Sequence, residues 1–146
     1  MTAYLLDVNV LIALLDPGHV HHEPAHAWFK DHGRKAWATC PLTENAVLRI
    51  VGNGRYPNSP GSPAAVALDL AEFCAQPGHE SWSDDVSLLS NATFDHARLL
   101  SSGQVSDTYL LGLAKAHGGK LATFDKRLVT DAVRSGARHL HRIGVD

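Results

Sequence analysis

The chain has 146 residues, 45% hydrophobic and 19% charged, with a formal charge of −2. That length and balance exclude a disordered tail and a fragment that needs disulfide or metal staples to fold, and predict a single domain over residues 1–146. The near-neutral charge argues against a bulk polyanion binder, and no run of 18 apolar residues is present to span a membrane.

The opening Ala3-Tyr-Leu-Leu6 is an unbroken apolar run that stops at Asp7, as expected of a strand buried on both faces. Met1–Val10 has no basic leading segment and does not read as a signal peptide. Asn9 is a candidate cap for a helix through Leu15. Pro24 suits the first turn of a second helix, over about 23–31, and Gly33 lies just past its end. Ala36-Trp-Ala-Thr39 reads as a short strand. Thr43 can cap a helix through Ile50.

Residues 52–63, rich in Gly, Pro, Asn and Ser, read as a loop, and helix resumes over about 63–75. A weak strand is expected at 79–82, with short helical turns in 84–102. Ser106 is a candidate cap for a helix from Asp107 to His117, which Gly118-Gly119 closes. Lys120–Phe124 reads as a strand ending at Asp125. A helical turn near 126–134 and a strand near 138–143 complete the chain. Strands alternate with helices throughout, which predicts an α/β fold with a mostly parallel central sheet. Ligands in such folds sit at the C-terminal ends of the strands.

Two strands end in a carboxylate, Asp7 and Asp125, and two helices carry one near their starts, Glu44 and Asp107. Strand ends and helix starts share one edge, so all four acids are expected in one crevice. Two like charges 4 Å apart repel by about 4 kcal/mol at an effective dielectric near 20. A hard divalent cation removes that cost, and an all-carboxylate set favours Mg2+ or Mn2+ over zinc. The chemistry that follows is phosphodiester hydrolysis. Each acid also has a plainer role open to it: a solvated turn, a complement to a helix dipole, or a cap.

The blocks YLLDVNVLIALLD, PLTENAVLRI and VSDTYLLGLAKAHGGKLATFD, with the spacing between them, resemble a PIN domain of the kind found in VapC toxin ribonucleases. The resemblance covers the whole chain. It implies a three-layer α/β/α sandwich and a Mg2+- or Mn2+-dependent endoribonuclease acting as the toxin of a VapBC toxin–antitoxin pair in the cytoplasm. It places Asp7, Glu44, Asp107 and Asp125 on the family's acidic, metal-holding positions. Asn9 and Thr123 fall on its supporting polar positions. It further implies an RNA substrate, a small antitoxin partner and a homodimer.

Lys126 and Arg127, just beyond Asp125, are the bases expected nearest the crevice and are candidates to steer the RNA backbone. They belong to a segment, 108–146, that carries a net +4 on a body of −6. A catalytically weak RNA-binding module that represses translation by occupancy is an alternative. A zinc peptidase is a remote one, since His22-Glu-Pro-Ala-His26 spells HExxH. Pro24 forces that motif into a helix's first turn, and no third ligand motif follows. His19, His21 and His22 could also lie near the pocket. Cys40 and Cys74 form no CxxC pair and read as free thiols.

Overall fold

A computed structural model describes residues 1–145. Five strands, β1 (Tyr4–Leu6), β2 (Trp37–Thr39), β3 (His79–Ser81), β4 (Lys120–Thr123) and β5 (Leu140–Arg142), form one sheet. The order is β3-β2-β1-β4-β5, and every pairing is parallel. The strands reach only three or four residues, and the central ones are apolar because both faces of the sheet are covered.

Side chains alternate across the sheet. Leu6, Trp37 and Ala122 meet α1 (Val8–Leu15), α2 (His22–Trp28), α3 (Pro41–Val51) and α4 (Pro63–Cys74) on one face. Leu5, Ala38 and Leu121 meet α5 (Val105–Ala116) and the 82–133 segment on the other. The result is the three-layer sandwich. Gly112 permits that second layer to close, because a Cβ there would stand 2.5 Å from the Phe94 ring.

Several helix boundaries differ from the sequence expectation. Asp7, not Asn9, caps α1, accepting from the Val8 amide at 2.8 Å. Asn9 therefore lies inside the first turn. Pro41, with its fixed φ, starts α3 three residues early, so Cys40 is the cap and Thr43 closes a reciprocal box with it. A 3-10 turn over Ser102–Gln104 runs straight into α5, so Ser106 is helical and caps nothing. α2 ends at Trp28 and continues as a π-helical turn over Phe29–Gly33.

Residues 126–134 form turns rather than a helix, tied to the body by an antiparallel bridge between Val133 and Phe94. The last strand is shorter than expected, because Gly136–His139 is a 3-10 turn. The loop expected at 52–63 appears as read, and the helix after it and the weak strand expected at 79–82 each end one residue early, at Cys74 and Ser81, with Ser62 capping α4. Among the described residues, no helix is long and apolar enough to cross a membrane.

Candidate active site

Parallel strands place β1 and β4 side by side, with Leu6 opposite Ala122. Asp7 and Asp125 therefore leave the sheet at one edge. Asp7 is only 5% exposed. Its second oxygen accepts from the Thr123 hydroxyl at 2.7 Å across 116 residues of sequence. Thr123 in turn accepts from the Asn9 amide at 3.2 Å and from the Asp125 backbone at 3.0 Å. The Asn9 side-chain oxygen accepts from the Phe124 amide at 3.3 Å. Asn9 and Thr123 thus tie α1 to the end of β4 and fix the direction of Asp7.

The electrostatics single out three acids. Burial pushes the Asp7 carboxyl above the ordinary range, hydrogen bonds from Thr123 and Val8 oppose the rise, and the Asp125 charge adds to it. Asp107, half-buried near the start of α5, is pushed up to about 6 by burial and then by the charges of Asp7 and Asp125. Asp7, Asp107 and Asp125 therefore share one field. No Lys or Arg forms an ion pair with any of them among the described residues.

Glu44 occupies the same edge but has other neighbours. Its Oε2 accepts from the Thr39 hydroxyl at 2.8 Å, and Thr39 also lies 2.8 Å from His79 Nε2. Glu44 is not among the charges that raise Asp7 and Asp107. Of the four acids, the structure groups three and sets Glu44 beside them on its own support. Thr39 and His79 were absent from the sequence expectation. The available signal is that β2 and β4 both end in Ala-Thr immediately before an acid-bearing turn or helix.

The fit to a divalent cation can be judged from the donor set. It is all oxygen, short of positive charge and partly desolvated, which suits a hard cation. Among the described residues, no three His, Cys, Asp or Glu side chains already surround one point at ligand spacing. A fully dehydrating cage is therefore not built here. Mg2+ keeps several waters and takes one or two carboxylates directly, and the site fits that mode.

Lys126 and Arg127 are exposed beside Asp125, whose Oδ1 accepts from the Arg127 amide at 2.8 Å. The rest of the basic segment is less free than its charge suggests. Lys115 donates to the Arg134 carbonyl, Arg134 to Asn91 and Arg142 to Leu128, so these bases clasp backbone. The HExxH histidines also hold backbone. His22 Nδ1 donates to the Ala13 carbonyl at 2.7 Å, and His26 Nε2 to Leu14 at 2.8 Å, closing the C-terminal turn of α1. Among the described residues no third His, Cys, Asp or Glu joins them at ligand spacing, which removes the zinc-peptidase reading's support. His21 packs on the Phe124 ring, one residue from Asp125, whereas His19 faces Asp16 and His21. Cys40 and Cys74 are free, and burial raises the Cys40 thiol to about 11, which keeps it unreactive.

Comparison with known proteins agrees with the fold. The PIN-domain family model, described as "PIN domain", matches residues 4–132. The chain is 46% identical over 137 residues to Ribonuclease VapC44 of Mycobacterium tuberculosis, covering 94% of this chain and 95% of that protein. It is 42% identical over 132 residues to Ribonuclease VapC39 of the same organism, covering 90% and 94%. Among solved structures, VapBC2 of Rickettsia felis bound to a DNA fragment from its promoter superposes with a TM-score of 0.54. That match has 10% identity and covers 86% of this chain and 90% of that one, a likeness of fold.

Proposed function

The chain belongs to the PIN-domain family, in its VapC branch, and on that premise we propose that it is a metal-dependent endoribonuclease, the toxin of a toxin–antitoxin pair. The observation that carries the reading is the convergence of Asp7, Asp107 and Asp125 in one field with no cationic ion-pair partner among the described residues; burial first, and then the charges of Asp7 and Asp125, raise Asp107 to about 6. Naming two relatives as ribonucleases supports RNA as the substrate.

In this reading Asp7, Asp107 and Asp125 hold Mg2+ or Mn2+, directly or through water, and Glu44 completes the set from α3. The bound ion would polarise a phosphoryl oxygen, favour ionisation of water and stabilise the leaving oxygen. Asp7 cannot swing away, because Val8 and Thr123 each hold one of its oxygens. Asn9 locks Thr123 from the other side. Asp125 is held by the Thr123 hydroxyl through its own amide, so two ligands share one anchor. Lys126 and Arg127 attract the RNA backbone to the edge where the acids lie. The partners proposed are a small antitoxin and a second copy of this chain, within the cytoplasm.

The test is cleavage of purified RNA with Mg2+ or Mn2+, against the same reaction in excess EDTA. Cleavage that needs the cation and leaves 5′-phosphate and 3′-hydroxyl ends is expected, because water rather than the ribose 2′-hydroxyl attacks. Activity that survives EDTA, or a 2′,3′-cyclic phosphate, overturns the reading. RNA retained on the protein with no product would favour translational repression by occupancy.

A further inference from the structure

Two strands of this sheet end in a buried threonine, and both threonines do the same thing. Thr123 donates to Asp7 and accepts from Asn9 and Asp125. Thr39, 0% exposed at the end of β2, donates to Glu44 Oε2 at 2.8 Å and meets His79 Nε2 at 2.8 Å. The first arrangement belongs to the site already described. The second is equally complete and has no assigned role.

The protons in the second chain can be placed. The one hydroxyl hydrogen of Thr39 goes to Glu44 Oε2. The Thr39 oxygen then has lone pairs alone to offer His79, so Nε2 of His79 carries a hydrogen and donates it. The order is His79 Nε2–H to Thr39, and Thr39 O–H to Glu44. His79 is fixed in turn by packing, with its ring 4.6 Å from that of Trp37, itself fully buried. Glu44 Oε2 is therefore held by a rigid chain anchored in the core. No hydrogen bond among the described residues engages Oε1.

We infer that His79 and Thr39 are positioning residues that fix the Glu44 carboxylate, so that Oε1 faces a divalent cation already oriented. The inference rests on the proposed reading of Glu44 as a member of the metal site. A glutamate at a helix start has three rotatable bonds, and holding one oxygen lowers the ordering cost of binding. Outer partners of metal-holding groups commonly contribute 10–100-fold, by rough estimate, to metal affinity. Thr123 supplies that support to Asp7, and the His79–Thr39 pair supplies it to Glu44, which Thr123 does not reach.

The experiment measures Mn2+ affinity of the full chain by titration calorimetry, without RNA. Thr39→Val keeps shape and strand preference and removes the hydroxyl. His79→Phe keeps the ring against Trp37 and removes the donor. Each is expected to weaken Mn2+ binding roughly tenfold, while Thr39→Ser and His79→Gln, which keep a donor, stay close to the parent. Repeated in a Glu44→Gln background, Thr39→Val and His79→Phe should have no further effect. Equal weakening in both backgrounds would mean general damage and overturns the inference. So does unchanged affinity in Thr39→Val while Glu44→Gln weakens binding, an outcome that leaves the metal site standing. Unchanged affinity in Glu44→Gln itself removes Glu44 from the site and the inference with it. A second readout is independent of folding losses: long-range proton–nitrogen NMR of the parent protein should show His79 protonated at Nε2, and an Nδ1–H tautomer overturns the chain.

Discussion

Helix α1 has a buried aspartate at each end, and the two are opposites. Asp7 at its start is 5% exposed, and Asp16 at its end is 6% exposed. Burial alone would raise both carboxyls. At Asp16 it is overcome by hydrogen bonds from Tyr56 at 2.5 Å, Gly18 at 2.9 Å and Asn58 at 3.0 Å, so the carboxyl falls below its ordinary range. At Asp7 two donors do not suffice, and the neighbouring Asp125 charge pushes the same way as burial. Asp16 is therefore a structural clasp that fastens the 52–62 loop to α1. Asp7 is a carboxyl held in place where ionisation costs stability, a cost that a cation would remove in the proposed reading. Depth of burial does not separate the two; the balance of donors against like charges does.

The largest expected effect comes from exchanging the two roles. Asp7→Asn should lower RNA cleavage by more than the roughly 10–100-fold that losing an outer partner of a metal site costs, while raising the melting midpoint in EDTA. Asp16→Asn should do the reverse, keeping cleavage per folded molecule and lowering the midpoint. Cleavage assays and melting curves on both variants decide, and a destabilised Asp7→Asn in EDTA would break the contrast.

Metal should tell the same two ends apart. At 100 times its dissociation constant a ligand adds about 2.7 kcal/mol, and each kcal/mol moves the midpoint of a chain this size by roughly 2–4 °C. Saturating Mn2+ should therefore raise the parent midpoint by about 5–11 °C. The shift should persist in Asp16→Asn and shrink in Asp7→Asn. A parent midpoint indifferent to metal contradicts the shared acidic field.

The clasp can be weakened in steps. Asp16→Ala leaves Tyr56 and Asn58 without their acceptor and should cost about 2–3 kcal/mol by denaturant titration. Tyr56→Phe removes a single charge-assisted bond and should cost about 1–2 kcal/mol. Tyr56→Phe as costly as Asp16→Ala would mean that packing, not the carboxylate, holds the loop.

The smallest expected effect is in the pH dependence without metal. Asp107 has a folded pKa of about 6, above its value in an unfolded chain near 3.9. Its contribution to stability is present below about pH 4 and is lost as pH rises through about 6. Asp7 acts in the same direction, and Asp16 in the opposite one, stabilising above pH 4 and fading as pH falls. Asp107→Asn should flatten the decline between pH 4 and 6 in EDTA, and a parent that gains stability across that window would refute the assignment.

Much of this molecule was legible in the chain. The alternation of short apolar runs with helical stretches determined a parallel sheet with covered faces, because each strand had to be buried on both sides. The placement of Asp7, Asp125, Glu44 and Asp107 at strand ends and helix starts determined that they share one edge. Local patterns also identified the 52–63 loop. What only the tertiary structure decided is which acids feel one another. Asp7 meets Thr123 across 116 residues, Asp16 meets Tyr56 across 40, and Thr39 meets His79 across 40. HExxH at 22–26 looked like a metal motif and closes a helix end instead. The physical reason is common to all of these. Periodicity is set by neighbours along the backbone, whereas a carboxyl's charge state is set by desolvation and by donors that packing brings from distant segments.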